Sequence, residues 1–211
     1  MKTDSFIAFL AKGAQVEPKP AIGPRLLGTA SLGLIVSLTL VVVVIGFLPK
    51  ATFATLSPWM KLTYTLLLVA VASYLTAGLS QPLARLAWPL KGLWLTWLTM
   101  LGVGAWTLYQ TPTPDRLDHL LGQTWLLCPW TVLLVSLPGL VLLQRTMRSF
   151  APTALKEAGF ASGLLAGALG ATAYALACPE DSAAFVAIWY TLGILLTGVV
   201  GAFASRWLMR W

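Results

Sequence analysis

Long apolar segments separated by short polar ones dominate the pattern of this 211-residue chain. Each segment approaches the roughly 20 residues that a helix needs to cross a bilayer. None alternates with the period of two that is typical of a membrane β-strand. The pattern predicts six transmembrane helices, over residues 26–48, 61–79, 93–109, 123–143, 158–177 and 184–205. We therefore expect an all-α, polytopic membrane protein whose helices form three successive hairpins.

The segment that precedes the first apolar run has a different pattern. Phe6, Ile7, Phe9 and Leu10 recur at approximately helical spacing, and the prolines and glycine of residues 17–24 then break any helix. This predicts a short amphipathic helix on an extended linker. Because so short a helix is marginal in water, it needs a surface to bind, either a partner protein or the lipid surface.

Composition agrees with the membrane class. The chain is 58% hydrophobic and 10% charged, whereas soluble domains carry about 25% charged residues. The net charge of +7 raises the question of nucleic-acid binding. The basic residues do not cluster among aromatic ones, however, and fall mainly in the predicted loops. We therefore expect the bilayer as a partner and no direct contact with nucleic acid.

The basic residues also predict an orientation. Of the 14 lysines and arginines, all except Lys50, Lys61 and Arg116 lie in the two tails and in the second and fourth loops. The positive-inside rule places those regions in the cytoplasm. Both termini are therefore expected on the cytoplasmic side of the membrane, with residues 1–25 as a cytoplasmic tail and residues 26–211 as a six-helix domain.

Glycines recur at every fourth position early in the fifth predicted helix. Gly159, Gly163 and Gly167 would let a neighbouring helix backbone approach closely. The usual meaning of such a pattern is packing inside one bundle. The alternative is a face that pairs two copies of the chain in a homodimer.

The two cysteines are both followed by proline, and the predicted topology puts both near the outer ends of neighbouring helices. Cys128 and Cys178 would then form a disulfide, bind a soft metal ion such as Cu(I), or remain inert apolar residues. His119, Glu180 and Asp181 lie on the same predicted rim as auxiliary candidates. Because carboxylates disfavour a nearby thiolate, a metal or an oxidant would have to engage the thiols.

Two alternative functions find less support in these residues. The chain has no Cys-x-x-Cys motif, which counts against a membrane thiol-disulfide oxidoreductase. No ionisable residue falls in the middle of a predicted helix, which counts against a metal-handling permease. We therefore do not expect an enzyme, nor a permanently bound cofactor.

Several motifs resemble a known family. The stretch Tyr174-Ala-Leu-Ala-Cys178-Pro179-Glu180-Asp181, followed by Phe185-Val-Ala-Ile-Trp189-Tyr190, is similar to the most characteristic motif of the NrsF family. The first eleven residues, the inner loop at residues 148–153 and the ending at residues 206–211 are similar as well. This family comprises six-span inner-membrane anti-sigma factors that negatively regulate the extracytoplasmic-function sigma factor SigF.

The resemblance implies a stress sensor that sequesters a sigma factor at the cytoplasmic side. The family's paired cysteines correspond to Cys128 and Cys178, which the resemblance links to signalling of heavy metals and oxidants. The tail residues Phe6, Ile7, Phe9 and Leu10 would bind the sigma factor. Metal binding or oxidation of the cysteines would release it to transcription, with Cu(I) or another thiophilic ion as the signal.

Overall fold

The computed structural model describes Thr3, Ile7, residues 21–81 and residues 86–210. Within this part of the chain the protein has seven helices and no strand, which confirms the all-α class. The helices are α1 (Ile22–Val44), α2 (Leu56–Leu79), α3 (Ala87–Gln110), α4 (Arg116–Leu121), α5 (Leu127–Arg148), α6 (Leu155–Tyr174) and α7 (Ala183–Leu208).

The six long helices coincide with the six apolar segments, with ends shifted by a few residues. Among the described residues, α1, α2, α5 and α7 are long and apolar enough to cross a membrane. Helices α3 and α6 have 24 and 20 residues but are less apolar, because α3 is rich in tryptophan and threonine and α6 in glycine and alanine. Six membrane crossings therefore remain a prediction.

Helix α6 forms the centre of the bundle. It packs against α1, α2, α5 and α7, and every residue from Ala161 to Tyr174 is buried. Helix α3 lies at the edge, against α2 and the start of α7. The arrangement in three hairpins is not confirmed, because α1 packs mainly on α5 and α6 and has little contact with α2.

The glycines of α6 allow its close approach to α7. A Cβ atom built on Gly163 would lie 2.5 Å from the carbonyl oxygen of Thr197, and one on Gly159 would lie 2.6 Å from that of Gly201. A Cβ on Gly167 would lie 2.9 Å from the Cα of Ile194. All three glycines therefore face α7 of the same chain, so this surface is not free to pair with a second copy.

We expect Gly163→Ala to lower the free energy of unfolding, because the new methyl group would force two tightly packed backbones apart. Overpacking of this kind typically costs about 1–3 kcal/mol. Gly28→Ala is the matched control, since a Cβ at that position in α1 meets nothing within 4 Å. Thermal unfolding of the detergent-solubilised chain measures both. Equal midpoints for the two variants would contradict the packing argument.

Two residues of the predicted amphipathic tail helix, Thr3 and Ile7, are among the described residues. Thr3 and Ile7 are helical, and the Ile7 side chain is 58% exposed. Phe6, Phe9 and Leu10, which complete the predicted apolar face, lie outside the described residues.

Candidate functional site

The two cysteines lie in one buried cluster at one end of the bundle. Cys128 is in the first turn of α5, and Cys178 follows the end of α6. Each is fully buried, neither forms a disulfide, and both belong to the same apolar core. The fold thus brings together two thiols that are 50 positions apart in the sequence.

Lys61 is the functional candidate that sequence reasoning missed. It lies in the second turn of α2 and is fully buried. Its ammonium group donates one hydrogen bond of 2.8 Å to the carbonyl oxygen of Cys178 and another of 2.8 Å to that of Glu180. The sequence indicated carboxylates near the thiols and gave Lys61 no role beyond the start of an apolar run. In the structure its ammonium group points inward, to these two carbonyl oxygens.

One sequence signal pointed towards Lys61. It is among the three basic residues that lie outside the positively charged regions, and it falls at the start of an apolar run. A lysine placed there usually extends its ammonium group to the interface. Complete burial requires compensating acceptors, and only the fold could show that the chain supplies two of them.

Glu180 ties the loop after α6 to the start of α5. One oxygen of its carboxylate accepts hydrogen bonds from the backbone amides of Gln123 (2.8 Å) and Thr124 (3.0 Å) and from the Thr124 hydroxyl (3.0 Å). The Thr124 carbonyl in turn accepts a bond of 2.8 Å from the Cys128 amide. This carboxylate therefore has a structural role and is already engaged by three donors.

These bonds form a continuous chain between the two cysteines. It runs from Cys178 through Lys61, Glu180 and Thr124 to Cys128. We call these five residues the cysteine network. The cysteine network therefore joins α2, α5 and the end of α6.

The other two proposed auxiliary residues make no hydrogen bond to this network, although Asp181 directly follows Glu180 in the sequence. His119 is on the short helix α4 and is exposed, and Asp181 is exposed as well. Across the described residues, no group of three or more histidine, cysteine or acidic side chains is arranged to hold a metal ion. A metal site here would therefore consist of the two thiols.

Aromatic residues of α6 and α7 pack together in the same core as the two cysteines. The rings of Tyr174 and Tyr190 lie 5.8 Å apart, and the buried Tyr190 hydroxyl has no hydrogen-bond partner among the described residues. Residues Val186–Tyr190 form a π-helical turn, a feature frequent at functional sites. Trp189 on this turn donates a bond of 3.0 Å to the carbonyl of Leu120.

Gly122 is essential for the position of Glu180. Its φ of +60° is in the left-handed region, and a Cβ atom there would lie 2.6 Å from the second carboxylate oxygen of Glu180. We expect Gly122→Ala to lower the free energy of unfolding by about 1–3 kcal/mol, since strained φ and displaced hydrogen bonds act together. Gly102→Ala, a site with open space, is the control in thermal unfolding. An unchanged midpoint for the Gly122 variant would contradict this role.

Basic residues gather at the opposite end of the bundle. Arg25 lies at the start of α1, Arg145 and Arg148 at the end of α5, Lys156 at the start of α6, and Arg206 at the end of α7. Since these ends of the helices lie away from the cysteine network, the positive charge and the thiols are separated by the length of the bundle.

Comparisons with known proteins give a consistent result. The model of the NrsF family, described as "Negative regulator of sigma F", matches residues 10–211. The "Anti-sigma-F factor NrsF" of Caulobacter vibrioides is 38% identical over 218 residues, and the "Probable anti-sigma-F factor NrsF" of Azospira oryzae is 33% identical over 213 residues. Both alignments cover 100% of each chain. No solved structure is significantly similar.

Proposed function

Because the chain belongs to the NrsF family of negative regulators of sigma F, we propose that it is a membrane anti-sigma factor. It sequesters an extracytoplasmic-function sigma factor at the bacterial inner membrane and is a regulator, not an enzyme. Six crossing helices, α1, α2, α3, α5, α6 and α7, hold it there. The observation that supports this proposal best is the full-length similarity to two anti-sigma-F factors.

Both termini face the cytoplasm in this proposal. The end of the bundle that carries Arg25, Arg145, Arg148, Lys156 and Arg206 is the strongly basic one, and such ends stay on the cytoplasmic side. The cysteine network is then at the periplasmic end. That compartment is oxidising, so the thiols sample the conditions outside the cytoplasm.

The sigma factor binds the tail on the cytoplasmic side. Ile7 is helical and exposed, so its apolar side chain is available to contact a partner protein. Phe6, Phe9 and Leu10 complete the apolar face at helical spacing, and such a face fits a groove on a partner protein.

The signal is a thiophilic metal ion such as Cu(I), or an oxidant, that acts on Cys128 and Cys178. A bound metal ion replaces the two thiol protons. Oxidation instead joins the two sulfur atoms and passes two electrons and two protons to the oxidant, provided that the Cα atoms come within about 4.4–6.8 Å. Either event draws the start of α5 and the end of α6 together.

The cysteine network carries this movement into the bundle. Lys61 holds the Cys178 and Glu180 carbonyls on α2, and Glu180 holds the start of α5. Helix α6, which leads into Cys178, packs without free space against α7. A tightly packed bundle of this kind shifts between discrete arrangements rather than deforming continuously, so a change at the periplasmic end alters the cytoplasmic end.

Co-purification of the sigma factor with the full-length chain tests the proposal. We expect the wild-type chain to retain the partner, and a chain with Phe9→Ser and Leu10→Ser to lose it. The matched control is Lys12→Ser with Gln15→Ser, which changes two polar tail residues and should retain the partner. Retention by both variants would exclude the tail as the binding element. Quinone reduction by the purified chain at the expense of a dithiol would instead indicate a thiol-disulfide oxidoreductase.

A further inference from the structure

A basic pocket lies between the start of α6 and the end of α7, at the end of the bundle remote from the cysteine network. It has a volume of about 440 Å³. The residues that line it are Leu155, Lys156, Arg206, Trp207 and Arg210. All three basic side chains are exposed. Glu157, the acidic residue in the same turn of α6, does not line the pocket, so positive charge dominates it.

Two exposed aromatic rings adjoin the pocket. The guanidinium carbon of Arg206 lies 5.6 Å from the ring centre of Phe203 and 5.7 Å from that of Trp207. These rings are 56% and 72% exposed. Cation–π contacts hold the guanidinium over the rings. Tryptophan and arginine at the end of an apolar helix are typical of the level of the lipid headgroups.

We propose that this pocket binds an anionic phospholipid. The phosphate contacts Lys156, Arg206 and Arg210, and the acyl chains lie along the exposed rings of Phe203 and Trp207. An arginine fork matches the geometry of phosphate oxygens. Helix α6 also begins without a side-chain cap at Ala154, so the positive end of its dipole adds to the potential.

The apolar surroundings favour a lipid over an acidic segment of a protein. An acidic peptide would neutralise the three basic side chains but would leave the neighbouring rings uncovered. A phospholipid satisfies both, since its headgroup is charged and its chains are apolar. The pocket lies at the end of α7, which is one of the four described helices that are apolar enough to cross a membrane.

The chain contains a natural comparison for this pocket. A second cavity at the same end of the bundle lies between the start of α1 and the end of α5, with a volume of about 400 Å³. Among the described residues, Arg25 is the basic one that lines it, and none of the lining residues is aromatic. With a single basic side chain and no adjoining ring, this second cavity should prefer an anionic lipid over a neutral one only weakly.

Native mass spectrometry of the full-length chain tests the proposal. The purified protein is incubated with equal amounts of phosphatidylglycerol and phosphatidylcholine, and retained lipid is counted. We expect wild type to retain phosphatidylglycerol preferentially. Because each basic residue near a lipid surface contributes about fivefold to binding, Arg206→Gln with Arg210→Gln should reduce the preference about 25-fold. Arg25→Gln should leave it within about a factor of two of wild type, since Arg25 lies in the other cavity.

Three results would overturn the proposal. Equal retention of the two lipids by the wild-type chain would do so, without reference to any variant. So would a preference that does not weaken as salt is added, because headgroup binding of this kind is electrostatic. If the double variant keeps its lipid preference but loses the sigma factor in co-purification, the pocket is a protein-docking site instead.

Discussion

Replacing either Cys128 or Cys178 with alanine is expected to abolish induction of the sigma factor's target genes by Cu(I) or by an oxidant. A single remaining thiol can form neither a disulfide within the chain nor a two-thiol metal site. To change the sigma factor from 99% bound to 99% released, a signal must favour the released state by about 5.5 kcal/mol. Neither variant has a means to supply that energy, so the induction ratio should fall to about one.

Reporter expression with and without the signal measures this effect, and the basal level must be recorded with it. Both cysteines are fully buried, so a variant that merely unfolds would raise expression without any signal. Ala177→Ser is the matched control, since it changes the residue next to Cys178 and leaves both thiols in place. It should respond as wild type does. Normal induction in both cysteine variants would eliminate the switch, while the assignment as an anti-sigma factor would stand.

Lys61→Met is expected to lower the free energy of unfolding by about 2–6 kcal/mol, because one buried and one partly buried carbonyl group lose their donor at once. Each unsatisfied acceptor of this kind costs about 1–3 kcal/mol. Methionine approximates the volume of lysine, so the fall in the free energy of unfolding would come from the lost hydrogen bonds and charge rather than from a cavity. The loop with Cys178 and Glu180 should also detach from α2, which we expect to impair the response of the reporter to the signal.

Lys91→Met is the control for this substitution. Lys91 is exposed on α3 and lies over the ring of Trp88 at 5.7 Å, so its replacement should change stability by less than about 1 kcal/mol. Lys61→Arg adds a second comparison, because it keeps the charge but alters the donor geometry. Equal unfolding midpoints for the Lys61→Met and Lys91→Met variants would show that the buried ammonium group does not hold the loop.

Most of the architecture could be predicted from local properties of the sequence. Apolar runs of sufficient length form helices wherever backbone groups must be satisfied without water, so the six long helices appeared where they were expected. Helix ends were less accurate, as for α3, which begins at Ala87 rather than near residue 93.

The network around the cysteines shows what only tertiary structure could decide. Both cysteines could be assigned to one end of the bundle from the direction of each helix. The same reasoning treated Lys61 as a boundary residue and left the role of Glu180 ambiguous. The carbonyls that accept from Lys61 belong to residues more than 100 positions away, and the amides that bind Glu180 are more than 50 positions away. No local pattern encodes such pairs.

By itself, then, the sequence determined an all-helical chain with apolar segments of membrane-crossing length, a basic end and a family resemblance. Composition and periodicity suffice for these features because each feature depends on residues that are close together in the sequence. The tertiary structure decided that α6 is the central helix, that its glycines face α7, and that a buried lysine and a glutamate join the two cysteines. These depend on which distant backbones meet, since a buried polar group is stable only where the fold supplies its partners.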